Sequence, residues 1–151
     1  MTIAVIDSNL AVALVVPLPY SEVAGQRFRA WKETGVELCA PILWGYEIVS
    51  TLRQMTMAKV ISPQDALDGL RSILALSVQE ISPTSKLHQE ALRWAHQLGQ
   101  RVAYDAAYVA LAEQLQAHFW TADRRLTNAA QQAGATWVHW IGEDYPQAPP
   151  S

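Results

Sequence analysis

YDAAYVALAEQLQAHFWTADRRL, residues 104–126, sets one aspartate in the opening turn of an alanine-rich helix and a second directly after a short apolar strand. Asp105 starts a helix predicted to run to about residue 117. Asp123 follows His118-Phe119-Trp120-Thr121-Ala122 and precedes Arg124-Arg125-Leu126, where another helix begins. In open α/β sheets ligands bind beyond the carboxyl ends of the strands, so an acid at a strand end beside one at a helix start is a candidate metal site. The plain alternative is structural. Aspartate at a helix start accepts a bond from an orphan N–H and suits the dipole, worth ~0.5–2 kcal/mol without any chemistry. Taken singly, each of these acids reads more readily as a cap than as a ligand.

Outward from that stretch the pattern alternates strands and helices. Residues 2–6 are β-branched and almost wholly apolar, which suits a strand buried on both faces. The strand ends in Asp7-Ser8-Asn9, any of which can cap the short apolar helix predicted over residues 10–16, before Pro17 and Pro19. An amphipathic helix over residues 21–34 stops at Gly35, and a second strand follows over residues 36–40. Pro41 then opens a helix on which Trp44, Ile48, Leu52 and Met55 share an arc, with Glu47 at its border, placed equally for a cleft or for solvent. Ser62-Pro63 opens a helix to about residue 76, residues 78–81 make a third strand, and Ser82-Pro83 repeats the same punctuation. Leu87, Ala91, Ala95 and Leu98 stripe the next helix, ended by Gly99. A helix closing at Gly134 and a strand over residues 136–141 complete the pattern. Such an order predicts parallel strands joined by helical crossovers: an α/β fold of three layers, α/β/α, with a parallel sheet of about five strands. One domain over residues 1–141 is expected, with a flexible proline-rich tail over residues 142–151.

The chain has 151 residues, half of them apolar, enough to fill one core. Its net charge of −3 argues against holding nucleic acid by bulk positive charge. Neutralising four carboxylates with metal would nevertheless bring the 14 acidic side chains near parity with the 11 basic ones. The single cysteine, Cys39, lies in an apolar run and reads as a core thiol in a reducing compartment. The reading expects no charged leader and no apolar run near the ~20 residues of a membrane span, hence a cytoplasmic protein. His88 and His96 are eight apart and offer no ligand pair, and His139, between Trp137 and Trp140, reads as structural.

Four acids now share a position class. Asp7 and Asp123 follow strands, Asp105 opens a helix, and Glu47 lies one turn inside a helix that follows a strand. In a parallel sheet all four fall at the carboxyl end. Converging carboxylates without cations raise one another's pKa, so such a cluster implies hard divalent ions, Mg²⁺ or Mn²⁺. An ion pair ~3.5–4 Å apart can bind a phosphate, activate water and stabilise the leaving oxygen. Neither G-x-x-x-x-G-K-[ST] nor G-x-G-x-x-G occurs, which argues against nucleotide-dependent chemistry of those kinds.

Val5-Ile6-Asp7-Ser8-Asn9-Leu10, Trp44-Gly45-Tyr46-Glu47-Ile48, the segment from Ala103 to Ala112 around Asp105, and Thr121-Ala122-Asp123-Arg124-Arg125-Leu126 together resemble the four motifs of PIN-domain nucleases, nearest to VapC-like toxins of toxin–antitoxin pairs. The resemblance runs from residue 2 to residue 141. It implies Mg²⁺- or Mn²⁺-dependent endoribonuclease activity on single-stranded or structured RNA, homodimerisation and inhibition by an antitoxin. It also implies that Asp7, Glu47, Asp105 and Asp123 are the metal-binding catalytic acids, supported by Asn9 and Thr121. Members often carry a hydroxyl residue three places before the third acid, where this chain has Val102, a departure that bears on metal affinity rather than on reaction type.

Two other readings compete. Receiver domains and haloacid-dehalogenase phosphatases also gather aspartates at strand ends, but Asp7 lacks the second acid of such sites and the last lysine is Lys86. A non-catalytic PIN-like binding module would use Trp31, Trp44 and Trp94 as partner anchors, although the same residues serve equally as core. Retention of all four acids favours the enzyme.

Overall fold

The computed structural model describes residues 2–143. Among them are β1 (Ile3–Ile6), α1 (Ser8–Val12), α2 (Ser21–Thr34), β2 (Glu37–Pro41), α3 (Leu43–Met57), α4 (Pro63–Leu74), β3 (Gln79–Ile81), α5 (Ser85–Leu98), α6 (Tyr104–Leu115), β4 (His118–Thr121), α7 (Arg124–Gln132) and β5 (Val138–Trp140). The expected order of strands and helices is the observed one. Of the proline-rich tail expected over residues 142–151, residues 144–151 lie outside the described residues.

All five strands are parallel, in the order β3-β2-β1-β4-β5. The chain therefore grows from β1 to one side and then returns to the other, which opens a crevice between the carboxyl ends of β1 and β4. The Asp7 N–H continues that ladder by donating to the Trp120 carbonyl at 3.0 Å.

Strand β4 shows why there are three layers. Alternate side chains point to opposite faces: Phe119 stacks on Tyr108 of α6, with ring centroids 5.2 Å apart, whereas Trp120 meets Trp31 of α2 edge-on at 6.0 Å. Helix α6 lies over the sheet centre against β1, β2 and β4. Its buried Ala106, Ala110 and Ala112 permit that close approach. Trp94 fastens α5 to α6 through Nε1–H···Oε1 of Glu113 at 3.1 Å and packs edge-on against Trp137 at 5.5 Å. Trp31, Trp44 and Trp94 are all buried, so the tryptophans considered as partner anchors are core residues, as is Cys39.

Local differences from expectation have local causes. The first helix spans Ser8–Val12 rather than residues 10–16, because the N–H groups of Leu14 and Val15 bond the carbonyls of Ala11 and Val12 in tight turns ahead of Pro17. Pro41 ends β2, paired in register with Ile81, instead of opening α3. Pro83 holds Ser82 outside the next helix, and Thr84 caps α5 by accepting from the Leu87 N–H at 3.1 Å. Among the described residues no helix is long and apolar enough to cross a membrane.

Helix α3 has no local side-chain cap at Ile42. Glu80, in the middle of β3, supplies one from a distance by accepting from the Gly45 N–H at 3.1 Å. That anion at the helix start holds the turn that carries Glu47. Replacement Glu80→Ala should lower stability by about 0.5–2 kcal/mol in urea unfolding at neutral pH, with most of the loss recovered by Glu80→Gln.

Candidate metal centre

Asp7 occupies the N-cap position of α1 but does not cap it with its side chain. Its carboxylate turns into the crevice instead and is 6% exposed as a residue. Thr121 Oγ1 donates to Asp7 Oδ2 at 2.8 Å, and Asn9 Nδ2 approaches the same oxygen at 3.4 Å. Ser8 Oγ lies 3.4 Å from Oδ1. Asn9 also ties the two strand ends together: Nδ2 donates to Thr121 Oγ1 at 3.3 Å while Oδ1 accepts from the Ala122 N–H at 3.2 Å.

Glu47 is half-buried, and Tyr108 Oη donates to its Oε1 at 2.6 Å across 61 residues of sequence. Asp105 accepts from Gln100 Nε2 at 3.2 Å. Asp123 is the exposed member and does act as a cap, its Oδ1 accepting from the Leu126 N–H at 3.0 Å. The capping alternative therefore holds for Asp123 and fails for Asp7.

The four acids act on one another electrostatically. Burial raises Asp7 to about 7 from the usual 3.8, opposed by the Thr121 bond and reinforced by repulsion from Asp105 and Glu47. Glu47 is raised by burial, opposed by the Tyr108 bond and reinforced by Asp105. Asp105 is raised by burial and then by Asp123, against the Gln100 bond. Tyr108 itself is pushed up, mainly by burial and then by the charges of Asp7 and Glu47. No salt bridge among the described residues joins any of the four acids to a lysine or arginine.

Among the described residues, no group of three or more acidic, histidine or cysteine side chains is already drawn into a cage that grips an ion. Like charges hold one another apart until a cation offsets them. The donor set nevertheless matches a hard divalent cation in kind: carboxylate oxygens only, partly desolvated and oriented by neutral donors.

Three supports were not anticipated from sequence: Tyr108, Gln100 and Ser8. Tyr108 had a readable signal, since it lies three residues after Asp105 and so on a neighbouring part of the same helix face. Gln100 supplies a bond to Asp105, while Val102, three places before that acid, is exposed. The ring nitrogens of His139 lie 2.7 Å from Glu143 Oε1 and 2.7 Å from His118 Nδ1. Arg124 lies over the Trp140 ring, 4.6 Å from its centroid.

A family model described as PIN domain matches residues 5–136. Ribonuclease VapC12 of Mycobacterium tuberculosis is 30% identical over 128 residues, covering 83% of this chain and 90% of that protein. Among solved structures, VapBC2 from Rickettsia felis bound to a DNA fragment from their promoter superposes with a TM-score of 0.67 at 10% identity, covering 92% of this chain and 98% of the other. Mycobacterium tuberculosis VapC20, a Sarcin-Ricin loop cleaving toxin, superposes at 0.60 with 15% identity, covering 83% and 94%. Both structural likenesses describe the fold.

The raised acids fix a pH dependence. Asp7 holds a proton more tightly folded than unfolded, so the folded chain binds more protons between about pH 4 and its folded value of about 7. Stability of the metal-free protein should accordingly fall as pH rises through that window. Thermal melts in chelator should show the midpoint dropping by several degrees from pH 5 to pH 8, a drop that Asp7→Asn reduces and that a divalent cation added at pH 8 reverses.

Proposed function

The chain belongs to the PIN-domain family, and from that premise we propose that it is a divalent-metal-dependent endoribonuclease, the toxin of a toxin–antitoxin pair, with Asp7, Glu47, Asp105 and Asp123 as its catalytic acids. The observation that carries the proposal is the buried Asp7 carboxylate, raised to about 7 and repelled by two further acids. Burying such a group costs the metal-free fold stability, whereas a divalent cation would offset both the burial and the repulsion.

Asp7, Glu47 and Asp105 would hold the principal ion, Mg²⁺ or Mn²⁺, with Asp123 completing a second site or orienting the attacking water. When bound, the metal supplies Lewis-acid activation of the phosphodiester and of water. The protein's own part is orientation. Thr121 and Asn9 hold Asp7, Tyr108 aims Glu47, and Gln100 steadies Asp105. Arg124, kept in place over Trp140, would meet the RNA backbone beside the scissile bond, with Arg125 next to it.

The same reading proposes a single nuclease domain over residues 1–141, a homodimer, a cytoplasmic setting and a separate antitoxin chain as inhibitor. The relative named Ribonuclease VapC12 supports the reaction class. The toxin named VapC20 shares the fold.

Purified protein should cleave RNA with Mg²⁺ or Mn²⁺ and not with chelator. Asp7→Asn and Asp105→Asn should each lower the cleavage rate by about a hundredfold or more while leaving the circular dichroism spectrum unchanged. Full activity in either variant would sink the assignment.

A further inference from the structure

Strand β5, at the edge of the sheet, carries the centre of a row of hydrogen-bonded ionisable side chains. His139, its middle residue, is held at both ring nitrogens: Nδ1 lies 2.7 Å from Glu143 Oε1, and Nε2 lies 2.7 Å from His118 Nδ1. His118 opens β4, and Glu143 stands in the turn after β5, where its N–H donates to the Trp140 carbonyl at 3.0 Å. The row thus ties the edge strand to its neighbour and to the turn that follows. Trp120 pairs with His139 across the ladder and shares a strand face with His118. Its ring centroid is 4.9 Å from that of His139, and Arg27 of α2 lies over the same indole at 4.3 Å. His139 is only 8% exposed, so water does little to screen or replace these contacts.

The contacts dictate where the protons sit. An ionised Glu143 can only accept, so His139 Nδ1 carries the N–H of that bond. In a neutral His139 ring Nε2 is then the acceptor, and His118 Nδ1–H donates to it. A first added proton leaves that bond in place, because one N–H still lies between the two rings. A second breaks it: two imidazolium rings present N–H to N–H at a distance that requires a lone pair on one of them. Among the described residues, the charged or titratable groups facing His139 are His118 from β4, Glu143 from the turn and Arg27 from α2. Burial foremost, and then the His118 charge, hold the His139 ring below its usual 6.5; the Glu143 bond and charge oppose them, and Arg27 adds to the lowering. A histidine held low contributes stability above that usual value and loses it as pH falls toward the folded one, the opposite sign to Asp7. We propose that His118, His139 and Glu143 form an acid-released clasp on the β5 edge, closed while a single proton lies between the two imidazoles and open once each ring carries its own. Release loosens β5, a strand of three residues, from β4. The clasp is independent of the ribonuclease reading.

Nitrogen-15 spectra of the imidazoles in the full chain read the proton positions directly. At about pH 8 both His118 and His139 should be the Nδ1–H tautomer. Acidification to about pH 5 should convert both rings to imidazolium. After allowance for intrinsic rates, it should also speed amide exchange in β5 about 2- to 10-fold relative to β1 and β2. His118 is exposed, so His118→Phe keeps a ring there without touching the core, and by removing the nitrogens it should flatten that acid response. Glu143→Gln keeps an acceptor and removes the charge, so the His139 titration midpoint should move to lower pH. Titration of Asp7 is common to the unmodified chain and both variants, and the comparison between them isolates the clasp. An Nε2–H tautomer of His139 at about pH 8 would overturn the proposal. So would an acid response of β5 that is the same with His118→Phe, or a His139 midpoint that Glu143→Gln leaves in place.

Discussion

A carboxylate placed where water scarcely reaches it is the constraint on which this structure turns. Asp7 sits at the end of the central strand, inside the crevice where the sheet order reverses. Removing an ionised carboxylate from water costs several kcal/mol unless it is compensated. The surrounding fold is arranged around that cost: β4 lies beside β1 so that Thr121 reaches Asp7, and α6 crosses the sheet so that Tyr108 reaches Glu47. The dense core of apolar side chains beneath β1, β4 and α6 supplies the stabilisation that the site consumes.

The choice of partners is informative in itself. Thr121, Tyr108 and Gln100 are neutral donors, and each approaches one acid. An arginine in any of those places would satisfy the carboxylate and cancel its charge. A hydroxyl or amide fixes the direction of the oxygen and leaves the negative charge available. Orientation without neutralisation is what a cation-binding pocket requires, and it distinguishes these acids from Asp123, which also serves α7 as a cap.

Much of this could be read from the chain alone because it is local. Strand β1 followed by acid and helix, the Ser62-Pro63 cap, and the Gly35 and Gly99 stops are patterns of adjacent residues, and the structure follows them. The four acids were legible as a position class because a parallel sheet puts every strand-to-helix junction on one end. What escaped is long-range. The Tyr108–Glu47 bond spans 61 residues and the Glu80–Gly45 cap spans 35, and in neither case does nearby sequence name the partner. Thr84 displaced Ser82 as a cap because two adjacent hydroxyl residues flank one proline, and only the backbone path decides between them. The tryptophans were ambiguous for a different reason: a buried ring and an anchor ring have the same composition, and burial depends on which face of α2, α3 or α5 meets the sheet.

The reversal of strand order at β1 has a further implication. Asp7 and Glu47 come from the part of the chain that builds β1, β2 and α3, while Asp105 and Asp123 come from the part that builds α6, β4 and α7. The seam between those two halves runs through the crevice. Neither half carries more than two of the acids, so a chain severed between β3 and α5 would be silent as separate fragments. Whatever activity it has would return only when the fragments re-form β1 against β4, which makes the scaffold a natural candidate for a split reporter of association.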